Sequence, residues 1–349
     1  MADKPVYACL IVDDVPSNPT YWWRYQQTAF GYEVPEIGFG GPWRELAKAP
    51  YFPASAAEAF ADFVEECDVR GKFTLLPCPA GHGRLDRGVR SIPDAELAGV
   101  LRVVRNRLAS RFDITPEVLT HAMALDIETE ALLPHAESAW LSHLCRTGQI
   151  EPLIAYLRHG WAILHNVGVR PRGLTVGGMS DPSNIAEGDL LYNGRHRDVL
   201  GQALLAVERE FDPGVQESFV FIGTELLSER AKRLCAPDVV YTTLTGERVY
   251  ELNSNVGEPF LDIWYGGGDP EGATNALVTP DLAGGKLIDE AEAGRAIVIT
   301  THAQTLNSVN TRRGLNVLRE AVRRLGQRYA GRLKWLTPLE LARTMSREV

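Results

Sequence analysis

The chain has no apolar run near the roughly 18 residues that a membrane-crossing helix needs, and its start, MADKPVYACLIVDD, goes straight into a strand with no signal-peptide pattern. No membrane segment is expected, and a cytoplasmic protein is the simplest expectation. Positive charge is short. Against 45 Asp and Glu stand 36 Lys and Arg, a formal net charge of -9. With no basic stripe interleaved with aromatics, this argues against nucleic-acid binding. Cysteine is scarce too. Cys9, Cys67, Cys78, Cys145 and Cys235 are odd in number and none sits at CxxC spacing, so no disulfide framework is expected. Cys9 and Cys78 lie in apolar runs and read as small core residues. Phosphate-binding signatures are absent: there is no GxxxxGK[ST] and no GxGxxG after a first strand, and the GGGDP at Gly266–Pro270 is neither. Without GxSxG, a serine-hydrolase elbow is not expected. No internal repeat or low-complexity tract appears.

What remains is an ordinary globular balance, 45% hydrophobic and 23% charged over 349 residues. A core of that size needs no metal or disulfide to fold. Short apolar runs bounded by turn residues predict strands at Tyr7–Val12, Gly71–Pro77, Glu117–Thr120, Gly173–Val176, Ser218–Ile222, Val239–Thr243, Phe260–Trp264 and Ala296–Thr300. Helical apolar stripes lie between most of them, at Ala54–Asp68, Pro93–Phe112, Glu151–Val167, Asp198–Glu210 and Arg312–Tyr329. Strands alternating with helices predict βαβ units and a parallel sheet. Roughly seven or eight units predict a (β/α) barrel, closed or nearly so, as one domain over residues 1–349. The Gly/Pro-rich pieces Gly31–Pro53, Gly177–Gly188 and Gly266–Gly285 read as its loops, and Ser17–Pro53 and Gly177–Asn193 as the ones that shape a pocket.

In parallel α/β folds the chemistry sits at the carboxyl ends of the strands. Four such ends carry polar residues. The first strand runs into Asp13 and Asp14. Two adjacent carboxylates in a dry site repel if both ionise, so a cation or a proton is expected beside one of them. A bland alternative is a turn cap before Pro16. In VLTHAMALD, His121 follows a short strand and Asp126 comes five residues later. Neutral imidazole is the commonest side-chain ligand for transition metals, and a carboxylate could share the ion. In AIVITTHAQTLN, His302 follows a buried strand and could bind metal or protonate a leaving group. Gln304 and Asn307 offer neutral hydrogen bonds to a polar substrate. In GKFTLLPCPAGHGRLD, Lys72 opens its strand and is expected at the far end, while His82 and Asp86 follow in a loop. Asn18 in the first loop, the aromatics Trp22, Trp23 and Tyr25 of TYWWRY, and Trp264 in LDIWYGGGDP are candidate sugar contacts or packing residues.

The order of these motifs resembles the polysaccharide deacetylase family, whose members have a distorted (β/α) barrel. LIVDDVPSN resembles the family's strand ending in Asp-Asp, which implies Asp13 as general base and Asp14 as metal ligand. GKFTLL resembles its apolar second strand. THAMALD supplies His121 for the first histidine of the family's His-[Ser/Thr]-x-x-His motif, with Leu125 where the second would stand. ITTHAQ resembles the late motif whose histidine is the general acid, here His302. Val15 replaces the glycine after Asp-Asp, and the arginine that orients the base is matched loosely by Arg170 to Arg172. With the second histidine missing, Asp126, His302 or a loop residue would have to complete the ligand set.

The resemblance implies a metal-dependent hydrolase that removes an N- or O-acyl group from a soluble oligosaccharide or small molecule. Zinc suits the mixed nitrogen and oxygen set, and manganese or nickel a carboxylate-rich one. A homo-oligomer is compatible with the sequence. Two other readings stand beside it. One is a metal-independent glycosidase, lyase or isomerase in which Asp13 or Asp14 works with Asp126 or Asp181. The other is a non-catalytic sugar-binding barrel gripping its ligand through Trp22, Trp23 or Trp264.

Overall fold

The computed structural model describes residues 4–16, 49–176, 194–221, 237–257, 263 and 267–346. Strand β1 (Val6–Asp13) is buried along nearly all its length, which is why it reads as an unbroken apolar run. Helix α1 (Ala54–Glu66) follows and turns Ala56, Ala57, Phe60, Ala61, Phe63 and Val64 inward. Strand β2 (Gly71–Leu75) lies beside β1, so close that a Cβ at Gly71 would stand 1.8 Å from the carbonyl oxygen of Leu10. Only glycine fits there. A small hairpin, β3 (Gly83–Arg84) and β4 (Gly88–Val89), leads to helix α2 (Asp94–Val103) and one π-helical turn, Val104–Leu108.

Strand β5 (Phe112–Pro116) is followed by a hairpin, β6 (Met123–Leu125) and β7 (Leu132–Ala136), and by helices α3 (Glu137–Thr147) and α4 (Ile150–Asn166). Then come β8 (Leu174–Thr175), α5 (Gly194–Phe211), β9 (Glu217–Phe221), β10 (Asp238–Thr242) and β11 (Arg248–Leu252). The last third holds α6 (Pro270–Leu277), α7 (Lys286–Glu292), β12 (Ile297–His302), α8 (Ala303–Asn307), α9 (Arg313–Arg328), β13 (Leu333–Trp335) and α10 (Pro338–Met345).

The strands form two main sheets. One has the order β12-β1-β2-β5, with β13 paired to the start of β1, and all of its ladders are parallel. The other has the order β10-β11-β9-β8, parallel except for β10 against β11. A single parallel bridge from Glu117, just past β5, to Thr175 of β8 links an edge of each sheet, and another joins Val256, four residues past β11, to Ile299 of β12. The fold is therefore α/β with parallel sheets, as expected. The seams are isolated bridges rather than ladders, and among the described residues no continuous ladder closes a barrel.

Alternation along β1 separates two environments. Ala8, Leu10 and Val12 join the helices in the main core. Cys9 and Ile11 meet Phe221, Leu252, Val298 and Leu341 between the sheets. Burying a Leu, Ile or Phe side chain is worth about 1.5–3 kcal/mol, so these two layers supply most of the favourable term. Helix α10 covers the amino-terminal end of the strands. Its Leu339 and Ala342 pack on Phe219 and Tyr250, and Thr337 and Glu340 close a capping box. The carboxyl ends of the strands lie opposite.

Several boundaries differ from the sequence reading. The strand expected at Glu117–Thr120 lies earlier, at Phe112–Pro116, and the helix expected over Pro93–Phe112 ends first. Asp113 and Thr115 break the apolar run of β5, which hid it from a hydrophobicity reading. Strands β11 and β13 were not expected at all. The strand expected at Phe260–Trp264 falls outside the described residues apart from Ile263. Cys9 and Cys78 are buried, as expected of core residues.

Candidate metal centre

Asp13 ends β1 and is in register with His302, which ends β12. The two catalytic candidates therefore stand on neighbouring strand ends. Asp13 is buried, and its Oδ1 accepts hydrogen bonds from Lys72 Nζ and Thr74 Oγ1, both at 2.5 Å. Lys72 also donates to Thr74 Oγ1 at 2.9 Å and to Thr175 Oγ1, and its ammonium lies 4.4 Å from the centre of the Phe221 ring. Lys72 was expected at the far end of its strand. Its backbone is there, paired with Ile11, but the long side chain runs up between the sheets to Asp13. Burial works to raise the Asp13 pKa, but the Lys72 and His302 charges and the two hydrogen bonds outweigh it and hold the carboxyl below its ordinary value. The arginine match at Arg170 to Arg172 has no such role. Arg172 pairs with Asp212 on the surface, and Lys72 is the cation beside Asp13.

Asp14 adopts φ 70° and His121 φ 55°, a left-handed conformation that costs a non-glycine residue roughly 1–2 kcal/mol. That conformation places Asp14 across from the turn after β5. Its backbone N–H donates to Glu117 Oε2 at 3.1 Å, and its Oδ2 accepts from Gln304 Nε2 at 2.7 Å. Its Oδ1 is buried without a hydrogen bond, 3.3 Å from His121 Nε2. The other ring nitrogen of His121, Nδ1, lies 3.4 Å from Glu117 Oε1. Asp14, Glu117 and His121 thus present ligand atoms that all lie within 4.8 Å of one another.

The electrostatics of these groups favour a cation among them. Burial and the nearby Glu117 carboxylate push Asp14 up to about 6. Burial, then the Asp13 charge, pushes Glu117 up to about 8. Burial pulls His121 below its usual value, which leaves a neutral imidazole. Two carboxylates and a neutral imidazole around an orphaned carboxylate oxygen suit a divalent cation, which would let both acids ionise.

The remaining candidates are elsewhere. Asp126 does not join the cluster. Its Oδ1 accepts from the backbone N–H groups of Glu128 and Thr129, at 2.9 and 3.0 Å, and caps the turn of the β6–β7 hairpin. Asn307 is buried at the end of α8, with its Nδ2 3.3 Å from Asn310 Oδ1. His82 is buried below the hairpin, and Asp86 pairs with Arg84 and Asn166. Asn18, Trp22, Trp23, Tyr25, Asp181 and Trp264 lie outside the described residues. Glu117 is hidden in the sequence because Glu117–Thr120 reads as a strand, whereas the strand ends at Pro116. Its spacing from His121, Glu-x-x-x-His directly after a strand, is the signal that could have found it.

No protein-family model matches the chain, and no curated protein matches it significantly. A crystal structure of a candidate polysaccharide deacetylase from Mycobacterium smegmatis is similar over 100% of this chain and 93% of its own, at 14% identity and a TM-score of 0.48. Among the described residues no helix is long and apolar enough to cross a membrane.

Proposed function

We propose that the chain is a metal-dependent hydrolase on a distorted (β/α) barrel, removing an N- or O-acyl group from a carbohydrate or a small molecule. The observation that carries this reading is the convergence of Asp14, Glu117 and His121 beside Asp13 and His302, all at the carboxyl ends of parallel strands. Asp14, Glu117 and His121 would hold the ion, with Glu117 in place of the second histidine. When bound there, a divalent ion would polarise a carbonyl oxygen and acidify a water molecule.

The chain's own residues supply the rest. Asp13, kept ionised by Lys72 and Thr74, accepts the proton of the attacking water. His302, one strand away, donates a proton to the departing amine or alcohol. Gln304 ties one oxygen of Asp14 and leaves the other for the ion. Zinc is the first candidate, and two carboxylates against one imidazole widen the choice to manganese or nickel. Asn18, Trp22, Trp264 and Asn307 are the proposed contacts to substrate.

The test is metal content by elemental analysis on wild type, Asp14→Asn, Glu117→Gln and His121→Ala, with acetate release from acylated sugars before and after chelation. The proposal expects stoichiometric metal in wild type alone and acetate release that a chelator abolishes. Chelator-insensitive turnover without acetate would replace it with acid/base chemistry on the sugar itself. Sugar binding with neither metal nor turnover would leave a binding protein.

A further inference from the structure

The turn that carries His121 is built around a carboxylate from another element. Val118 and His121 both have positive φ, 45° and 55°. This backbone aims the N–H groups of Leu119, Thr120 and His121 at one point. Glu137, the first residue of α3, fills that point. Its Oε1 accepts from Leu119 N at 3.1 Å and from Thr120 N at 3.0 Å, and its Oε2 accepts from Thr120 N at 3.1 Å and from His121 N at 2.7 Å. Consecutive N–H groups arranged in this way form an anion-binding nest. Here the anion is internal and buried.

A fourth donor completes it. Tyr156 Oη on α4 donates to Glu137 Oε1 at 2.5 Å and accepts from Leu125 N at 3.1 Å. The β6–β7 hairpin brings the chain back so that Glu137 N also donates to Ala122 O at 2.9 Å. All the groups around the Glu137 carboxylate are donors, so an amide cannot replace it without setting N–H against N–H.

We infer that Glu137, held by Tyr156, is the positioning residue that sets the His121 backbone and so aims its imidazole between Asp14 and Glu117. The inference rests on the metal-site reading for its consequence, but its geometry stands without a metal. Groups that orient a ligand from behind typically change metal affinity by about 10- to 100-fold when replaced.

The experiment has two readouts. The first is the affinity of zinc and of manganese for the purified full chain, by calorimetry, in wild type, Glu137→Gln, Tyr156→Phe and Leu325→Ala. Leu325 is a buried core residue of α9, a different element from the turn, and its variant serves as a control of lowered stability. The second is the set of ring resonances of His121 in metal-free, histidine-labelled protein at fixed pH, assigned with His121→Ala. The expected result is a loss of at least about tenfold in affinity for Glu137→Gln, a smaller loss for Tyr156→Phe, and displaced His121 resonances in both. Leu325→Ala should lower the melting temperature and leave affinity and resonances unchanged. Wild-type affinity and unmoved His121 resonances in folded Glu137→Gln would overturn the inference. If that variant does not fold, the same two readouts on Tyr156→Phe decide. If wild type binds neither metal, the metal reading fails, and the His121 resonances alone decide the positioning role, displaced in favour and unmoved against.

Discussion

Lys72 Nζ and Asp13 Oδ1 lie 2.5 Å apart, buried where the two sheets face each other. Breaking a buried pair by removing one partner costs about 3–5 kcal/mol, because the other charge is left in a dry site. Lys72→Met should destabilise by that amount in urea unfolding, and adding Asp13→Asn should recover much of the loss. Lys72→Arg should not substitute, since a planar fork has no room to reproduce three bonds arranged around an ammonium. The Asp13 pKa is lowered in the fold. Its stabilising contribution is therefore present above its unfolded value, about 4, and is lost as pH falls below that. In Lys72→Met this acid-side loss should disappear.

Metal binding should release protons at neutral pH. Glu117, at about 8, is mostly protonated at pH 7 without a cation, and Asp14, at about 6, is partly so. An ion would displace those protons, so its affinity should rise with pH from about 6 to about 8. Calorimetry in buffers of different ionisation heat measures the release. Glu117→Gln should abolish most of it. At a metal concentration 100 times the dissociation constant, the bound ion should add about 2.7 kcal/mol of stability.

Glu208, buried on α5, accepts from Gly173 N at 2.7 Å, and burial raises it to about 7. A carboxyl whose folded pKa is raised favours the protonated form, so its contribution is present below about 4.5 and fades as pH rises to about 7. Glu208→Gln keeps an acceptor for Gly173 and an amide group for the Ser218 hydroxyl, the carboxylate's other hydrogen-bond partner. The stability of the variant relative to wild type should grow by about 3 kcal/mol between pH 4.5 and pH 7, as measured by denaturation at both ends.

Asp126→Ala separates a turn cap from a ligand. With its carboxylate on the hairpin N–H groups, the substitution should loosen the turn and lower thermal stability slightly. Metal affinity should stay at the wild-type value. A loss matching that of Asp14→Asn would return Asp126 to the ligand set.

Much of this was legible in the sequence where a single rule operates. The β1 strand and its Asp13-Asp14 ending, α1, α4 and α9 all show clean apolar patterns, and the structure has them within a few residues. The rule that chemistry sits at carboxyl ends pointed to Asp13, Asp14, His121 and His302. It failed where the site itself alters the pattern. Asp113, Thr115 and Glu117 face inward from β5 and its end, so the strand looks too polar to be one. Lys72 looks misplaced until the reach of its four-carbon stem is counted. Asp126 and Asp14 both follow apolar runs, and only tertiary contacts tell a turn cap from a member of the buried cluster.

The seam between the sheets passes through the site. Glu117 bridges to Thr175, Val118 N donates to Thr175 O at 3.1 Å, and Lys72 reaches from Asp13 on one sheet to Thr175 on the other. Opening of the molecule along that edge therefore separates Glu117 from Thr175 and uncovers the Lys72 charge in the same motion. The Val118 amide becomes a built-in gauge. Its hydrogen-exchange rate would report seam opening, and an ion gripped by Glu117 on one side and His121 on the other would slow it.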